Sequence, residues 1–229
     1  MKTLSKAVAI ASLMTAGVMT STAANAEVSF NASLVSDYVF RGFSFSDNGP
    51  ALQGGADYSH DSGAYVGTWL SNYESEQDDG SLETDVEYDI YAGYWMEAGD
   101  LEIDLGLATY NYGEGGYDTT EAYAVVTRGA VSASVYRDID AYNTTHLAVA
   151  YAAELPADLA LDLSAGYLID GEVDGEDYWG DDIVDLSASL GKSFDMVDVS
   201  LTVTHIDYEF AADIGVDETL VFLTAGTEF

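Results

Sequence analysis

LVFLTAGTEF, residues 220–229, alternates strictly. Val221, Leu223, Ala225, Thr227 and Phe229 share one face of a strand, because side chains alternate with period two. Leu220, Phe222, Thr224, Gly226 and Glu228 take the other. A final strand with a non-polar face running to Phe229 must lie against something apolar. The chain is otherwise very acidic, with six Lys+Arg against 41 Asp+Glu.

The same alternation recurs along the chain. Val28, Phe30, Ala32, Leu34, Tyr38 and Phe40 oppose Ser29, Asn31, Ser33, Asp37 and Arg41. Val86, Tyr88, Ile90, Ala92 and Tyr94 oppose Asp85, Glu87, Asp89 and Tyr91. Leu101, Ile103, Leu105 and Leu107 oppose Glu102 and Asp104, and the runs at 52–59, 159–167, 184–190 and 197–204 repeat the pattern. Each reads as a half-apolar strand, and a helical period fits none of them better. Segments 64–71, 119–127, 130–137 and 144–153 are weaker, with small residues on both faces. The expected total is about twelve strands, or ten if two weak segments pair elsewhere.

Connections alternate in length. Tight ones fall at His60–Gly63, Met96–Gly99, Arg128–Gly129, Leu155–Asp158 and Asp195–Met196. Longer ones fall near 42–50, 72–84, 113–118, 138–143, 169–181 and 209–217. An up-and-down antiparallel transmembrane β-barrel gives this rhythm, with short turns at one rim and free loops at the other. Strands of about 9–11 residues suffice to cross a bilayer at a tilt. Tyr58, Tyr65, Tyr94, Tyr151, Phe194 and Phe229 fall near the tight turns. Tyr38, Phe40, Tyr110, Tyr112, Tyr136, Tyr167 and Tyr208 fall toward the long loops. Two aromatic belts are expected from these positions. A soluble β-sandwich also alternates but has no need of two belts.

The first 26 residues read as a separate object. Lys2 and Lys6 precede an apolar run from Ala7 to about Met19, and Ala24-Asn25-Ala26 is a small-x-small cleavage site. This pattern predicts a cleaved secretory signal peptide, residues 1–26, ahead of a barrel domain, residues 27–229. The remainder keeps four cations, Arg41, Arg128, Arg137 and Lys192, against all 41 acids, a formal charge of −37. Nucleic acid and anionic surfaces are poor partners for such a chain. There is no Cys to form a disulfide.

The stretch SDYVFRGFSFSDNGPALQGGADYSH, residues 36–60, resembles the N-terminal signature of the TorF-like porin family of bacterial outer-membrane β-barrel proteins. The matching strings are Ser36 to Gly42, Ser46 to Gly54, and the hairpin from Asp57 to Trp69. The resemblance implies an outer-membrane location and a barrel shape, and it brings no catalytic residue. The ending on Phe229 resembles the signal that barrel-assembly machinery reads.

Strand parity selects the pore-lining candidates. Asp37, Arg41, Asp57, Asp85, Glu87, Asp89, Glu102, Asp104, Asp162, Asp185 and Asp198 all fall on the inner face. Rings of carboxylate in a narrow pore favour cations. Arg41 is expected either to pair with a lumen carboxylate or to set a constriction. Residues 170–182, DGEVDGEDYWGDD, space their acids somewhat like a calcium loop but depart from it at the third and twelfth positions. They read first as a solvated loop, with weak divalent-cation binding at the acidic loops as the alternative. No cofactor motif is present. A hydrolase needs a nucleophile, base and orienting group, and only His146 has a parity that reaches the lumen. The sequence therefore predicts a porin-like channel for small solutes or ions, cation-preferring and surrounded by outer-membrane lipid. The alternatives are a plugged structural or surface-interaction barrel and an outer-membrane barrel hydrolase.

Overall fold

The computed structural model describes residues 27–77, 80–113, 118–173, 176–177, 182–208 and 218–229. The strands are β1 (Glu27–Val35), β2 (Val39–Phe40), β3 (Phe43–Ser44), β4 (Ala51–Ser59), β5 (Ala64–Glu76), β6 (Leu82–Ala98), β7 (Leu101–Asn111) and β8 (Thr119–Arg128). They continue with β9 (Val131–Asp138), β10 (Thr145–Leu155), β11 (Leu159–Ile169), β12 (Glu172–Val173), β13 (Glu176–Asp177), β14 (Ile183–Phe194), β15 (Val197–Tyr208) and β16 (Glu218–Glu228). Twelve of them close a barrel in the order β1-β16-β15-β14-β11-β10-β9-β8-β7-β6-β5-β4, and every neighbouring pair is antiparallel. The small hairpins β2–β3 and β12–β13 are separate two-stranded sheets and take no part in this ring.

Closure pairs β1 with β16, placing Ala32 opposite Thr227 and Val35 opposite Thr224. Phe30 and Phe229 exchange backbone hydrogen bonds of 2.9 Å in both directions, and their rings stack at 6.1 Å. The expected parity of the last strand holds. Val221 and Phe229 are 61% and 73% exposed, whereas Leu220 and Thr224 are 6% and 7% exposed. The same division runs round the barrel: Leu52, Ile90, Leu105, Leu163 and Leu201 are exposed on the outside. A sheet whose aliphatic face points out and whose polar face points in is inverted relative to a water-soluble protein. It suits a hydrocarbon surround, in which each backbone polar group must be satisfied within the sheet.

The four weaker segments are all full barrel strands. Their pattern was faint because the large residues point inward: Tyr65, Trp69, Tyr123 and Tyr136 are buried inside the ring. Small residues such as Ala122, Ala124 and Ala133 take the outer face. Strands β5 and β6 also run through much of 72–84, pairing as far as Glu76 with Leu82.

Two expectations are corrected. The first strand ends at Val35 and does not run on to Arg41, so Asp37 and Arg41 sit in the connection to β4. The long-loop aromatic belt is largely internal. Tyr38 and Tyr136 are buried, and Phe40, Tyr110 and Tyr112 join internal ring contacts. Tyr65, expected in the belt near the tight turns, also points in. Tyr58, Tyr94, Tyr151, Phe194 and Phe229 are exposed near those turns as expected, and Tyr88 and Tyr167 are exposed toward the other rim. The expected leader, residues 1–26, and the loop 209–217 lie outside the described residues.

In a bilayer, Leu105→Arg is expected to cost about 2–4 kcal/mol of barrel stability. Ser164→Thr on the inner face should cost little. Reversible unfolding in lipid vesicles measures both, and equal losses would invalidate the inside–outside assignment.

Candidate functional site

The connection from β1 to β4 folds into the barrel. Phe40 pairs with Phe43, leaving Arg41 and Gly42 as the two turn residues. Their φ values are 50° and 88°. Two successive left-handed residues are the signature of a type I′ hairpin turn. Glycine adopts this conformation freely, and at Gly42 space also demands it: an added Cβ would lie 2.9 Å from the Ile206 Cβ. Arginine adopts it at a cost, which its contacts must offset.

Those contacts are strong. Arg41 donates from both terminal nitrogens to the Glu121 carboxylate, at 2.7 and 2.8 Å. Its guanidinium also lies 4.6 Å from the Phe40 ring centre and 5.2 Å from that of Tyr136. A forked pair of this kind is the strongest geometry available to arginine and carboxylate. Asp37 is not part of it. The Asp37 Oδ1 accepts from the Ser44 hydroxyl at 2.6 Å, bracing the hairpin from within.

The rest of the segment reaches three parts of the wall. Tyr38 packs edge-on against Trp69 of β5 at 5.4 Å and lies tilted against Phe45 at 5.3 Å. Phe40 meets Tyr110 of β7 at 5.8 Å. Phe43 packs with Leu168, Ile183 and Ile206 on β11, β14 and β15. The hairpin thus spans the lumen near the long-loop rim.

Exposure divides the interior into two levels. Around the hairpin, Tyr38, Glu87, Asp89, Glu121, Asp138, His146 and Thr204 are all buried. Toward the tight turns, Asp57, Ser134, Asp162, Ser164 and Asp198 are only half-buried. The hairpin and its partners close the upper, long-loop level, whereas the tight-turn level mixes half-buried positions with buried ones such as Tyr65, Asp104, Ala160 and Ser200.

Four of the inner acids meet a phenol. Tyr65 donates to Asp104 at 2.6 Å, and its hydroxyl lies 2.5 Å from that of Tyr123. Tyr38 donates to Glu87 at 2.6 Å, Tyr110 to Glu121 at 3.0 Å, and Tyr91 to Asp57. Register explains how rings on separate strands meet. Tyr65, Gly93, Gly106 and Tyr123 form one continuous cross-strand row, and the two glycines leave the floor over which both rings lie. Gly166 does the same between His146 and Asp185. The His146 Nε2 lies 2.7 Å from the Asp185 Oδ2, whereas its Nδ1 is buried without a hydrogen-bond partner among the described residues.

The other candidates lie apart. Asp85 is half-buried near the long-loop rim, and Glu102 is exposed at the tight-turn rim. Two acids were missed by the sequence reading. Glu121 sits in a weak segment, and its signal would have been its parity with Tyr123. Asp138 is 1% exposed and caps the following turn, accepting from the backbone N–H groups of Asp140 and Ala141 at 3.0 Å each. Much of the acidic stretch 170–182, including Asp174, Gly175 and Asp181, lies outside the described residues. At its edge Asp182 accepts from the Tyr167 hydroxyl and from the backbone N–H of Asp170, and these bonds hold its carboxyl below the usual range. Among the described residues no three His, Asp or Glu side chains gather as a metal site.

A closed up-and-down barrel with an aliphatic exterior and a polar, hairpin-crossed interior has the architecture of outer-membrane porins. The chain belongs to the Gcw_chp family, described as bacterial protein of unknown function, whose pattern matches residues 19–215. No curated protein matches it. Among solved structures it is similar to a KdgM porin, at 8% identity and a TM-score of 0.57, over 88% of this chain and 98% of that one. The same porin in complex with disordered oligogalacturonate aligns at 6% identity and a TM-score of 0.54, over 88% and 97%. It is similar to the NanC porin at 9% identity and a TM-score of 0.57, over 89% and 99%. LpxR from Salmonella typhimurium aligns at 10% identity and a TM-score of 0.52, over 88% and 99%. At these identities the likeness is one of fold.

Arg41→Ala would leave Glu121 buried without its cation and with only the Tyr110 hydroxyl, a loss of about 3–5 kcal/mol for a buried pair. The hairpin should release, so that added protease cuts within 38–45. Arg41→Ala combined with Glu121→Gln should recover part of the protection. Unchanged protection in the single variant would show that the pair does not hold the hairpin.

Proposed function

We propose that the chain is a porin-like channel of the bacterial outer membrane that passes small solutes or ions with a preference for cations. The observation that carries this reading is the reversal of polarity across one closed sheet, aliphatic outside and carboxylate-rich inside. Outer-membrane lipid is then the solvent of the exterior. The TorF-like resemblance of Ser36 to Gly54 fits the same reading, and that stretch contains the lumen hairpin. Charge sets the cargo. Asp57, Asp85, Glu87, Asp89, Asp104, Asp162, Asp185 and Asp198 face inward, and Arg41 is already matched by Glu121. An oligogalacturonate is a polymer of acidic sugars, and an interior of this sign repels such a polyanion. Catalysis has less support: no described hydroxyl is hydrogen-bonded to the free His146 nitrogen as a nucleophile would be. Weak divalent-cation binding at the acidic loops belongs to this reading as screening of the channel mouth.

The closed upper level favours a second reading, a plugged structural or surface-interaction barrel. Planar-bilayer recording separates the two. The channel reading expects single-channel steps and a reversal potential of cation sign in a salt gradient, weakened at high salt. Neutralising Asp85, Glu87 and Asp89 together should lower the preference. Anion preference would overturn the cation assignment. Silence from folded wild-type protein, with conduction after removal of 38–45, would establish the plug.

Phe229 is proposed as the residue that barrel-assembly machinery recognises, supported by its place on the exposed face at the β1–β16 seam. Phe229→Ala should lower the yield of heat-modifiable barrel several-fold while export to the periplasm continues. An unchanged yield would remove that role.

A further inference from the structure

Glu87 and Asp89 are neighbours on the inner face of β6, two residues apart, so their side chains start about 7 Å from one another. They are 1% and 7% exposed. Each leaves one carboxylate oxygen, Glu87 Oε1 and Asp89 Oδ1, buried with no hydrogen-bond partner among the described residues. A buried carboxylate oxygen without a donor is costly, and two on one face are costlier. The inner arginine does not relieve them, because Arg41 is bonded to Glu121.

The surroundings narrow the choice of ligand. Tyr38 donates to the other Glu87 oxygen, and its ring packs in the cluster that holds Trp69 and Tyr73, with Tyr112 against it. Tyr73 and Tyr112 meet edge to face at 5.3 Å. Calcium takes six to eight oxygen ligands, and this enclosure offers two free carboxylate oxygens among aromatic rings. An ammonium group suits it better. Its N–H bonds supply the missing donors.

We propose that Glu87 and Asp89, enclosed by Tyr38, Tyr73 and Tyr112, form a binding site for the primary ammonium group of a small organic amine. The site rests on the cation-channel reading and names the class of cargo it selects. A short diamine matches both carboxylates at once. The ligand lies beside the hairpin that closes the upper level, where a permeant cation would shed its water.

The test is calorimetric titration of the full-length folded barrel in detergent micelles, with heat-modifiable mobility confirming the fold of every variant. The probes are the chlorides of butane-1,4-diammonium, methylammonium, tetramethylammonium, potassium and calcium at constant ionic strength. The diammonium and methylammonium ions should bind saturably, at least tenfold tighter than potassium or tetramethylammonium, which lacks N–H donors. Glu87→Gln and Asp89→Asn should each weaken diammonium binding at least tenfold, and Asp61→Asn in an exposed tight turn should leave it unchanged. If the variants fail to fold, the wild-type order of preference decides alone. Absence of saturable amine binding, or tighter binding of calcium, would overturn the site. So would an infrared band of a protonated carboxyl that is lost in Asp89→Asn while no amine binds, because the pair would then hold a proton instead. A barrel that conducts cations but binds no amine loses this site and keeps the channel reading. A silent barrel that binds amines does the reverse.

Discussion

Every other feature of the molecule depends on the pairing of β1 with β16. An open twelve-stranded sheet would present two edges of unpaired N–H and C=O groups, and a hydrocarbon surround, which the aliphatic exterior suits, would offer no water to satisfy them. Once that seam closes, the sheet has an inside, and the two faces of each strand acquire different solvents. The aliphatic residues can then remain outside and the acids can be gathered within.

Gathering acids creates the second problem that the interior solves. Carboxylates taken out of water need donors, and with so few cations the chain supplies phenols instead. Tyrosine is suited to this because its ring fills the lumen while its hydroxyl reaches a carboxylate. The inner glycines make the arrangement geometrically possible. A side chain at Gly93 or Gly106 would occupy the space over which Tyr65 and Tyr123 meet. The inner tyrosines and glycines thus share one role, rings laid across bare backbone to bring donors to buried acids.

The barrel was legible in the sequence because period-two alternation and the rhythm of long and short connections are local signals. The weak strands were faint for a physical reason. Their inner faces carry Tyr65, Trp69, Tyr123 and Tyr136, so the contrast between a greasy outer face and a small polar inner one disappears. The inner acids on the clean strands were legible by parity alone. What parity could not give was the path of residues 36–50. Their alternation continues that of β1, and the turn at Arg41 and Gly42 is set by partners far along the chain, Glu121 and Ile206. Glu121 was invisible as the partner of Arg41 because the two meet only after the barrel has closed.

The hairpin and the seam are joined at Ser36. Its backbone N–H donates to the Leu223 carbonyl at 2.9 Å, and its hydroxyl accepts from the Leu223 N–H at 2.9 Å. The first residue of the inward segment therefore completes the upper end of the junction between the first and last strands. Mechanical load applied to one is transmitted to the other. Pulling the hairpin out of the lumen strains the zipper that keeps the cylinder shut, and parting the zipper slackens the tether of the hairpin.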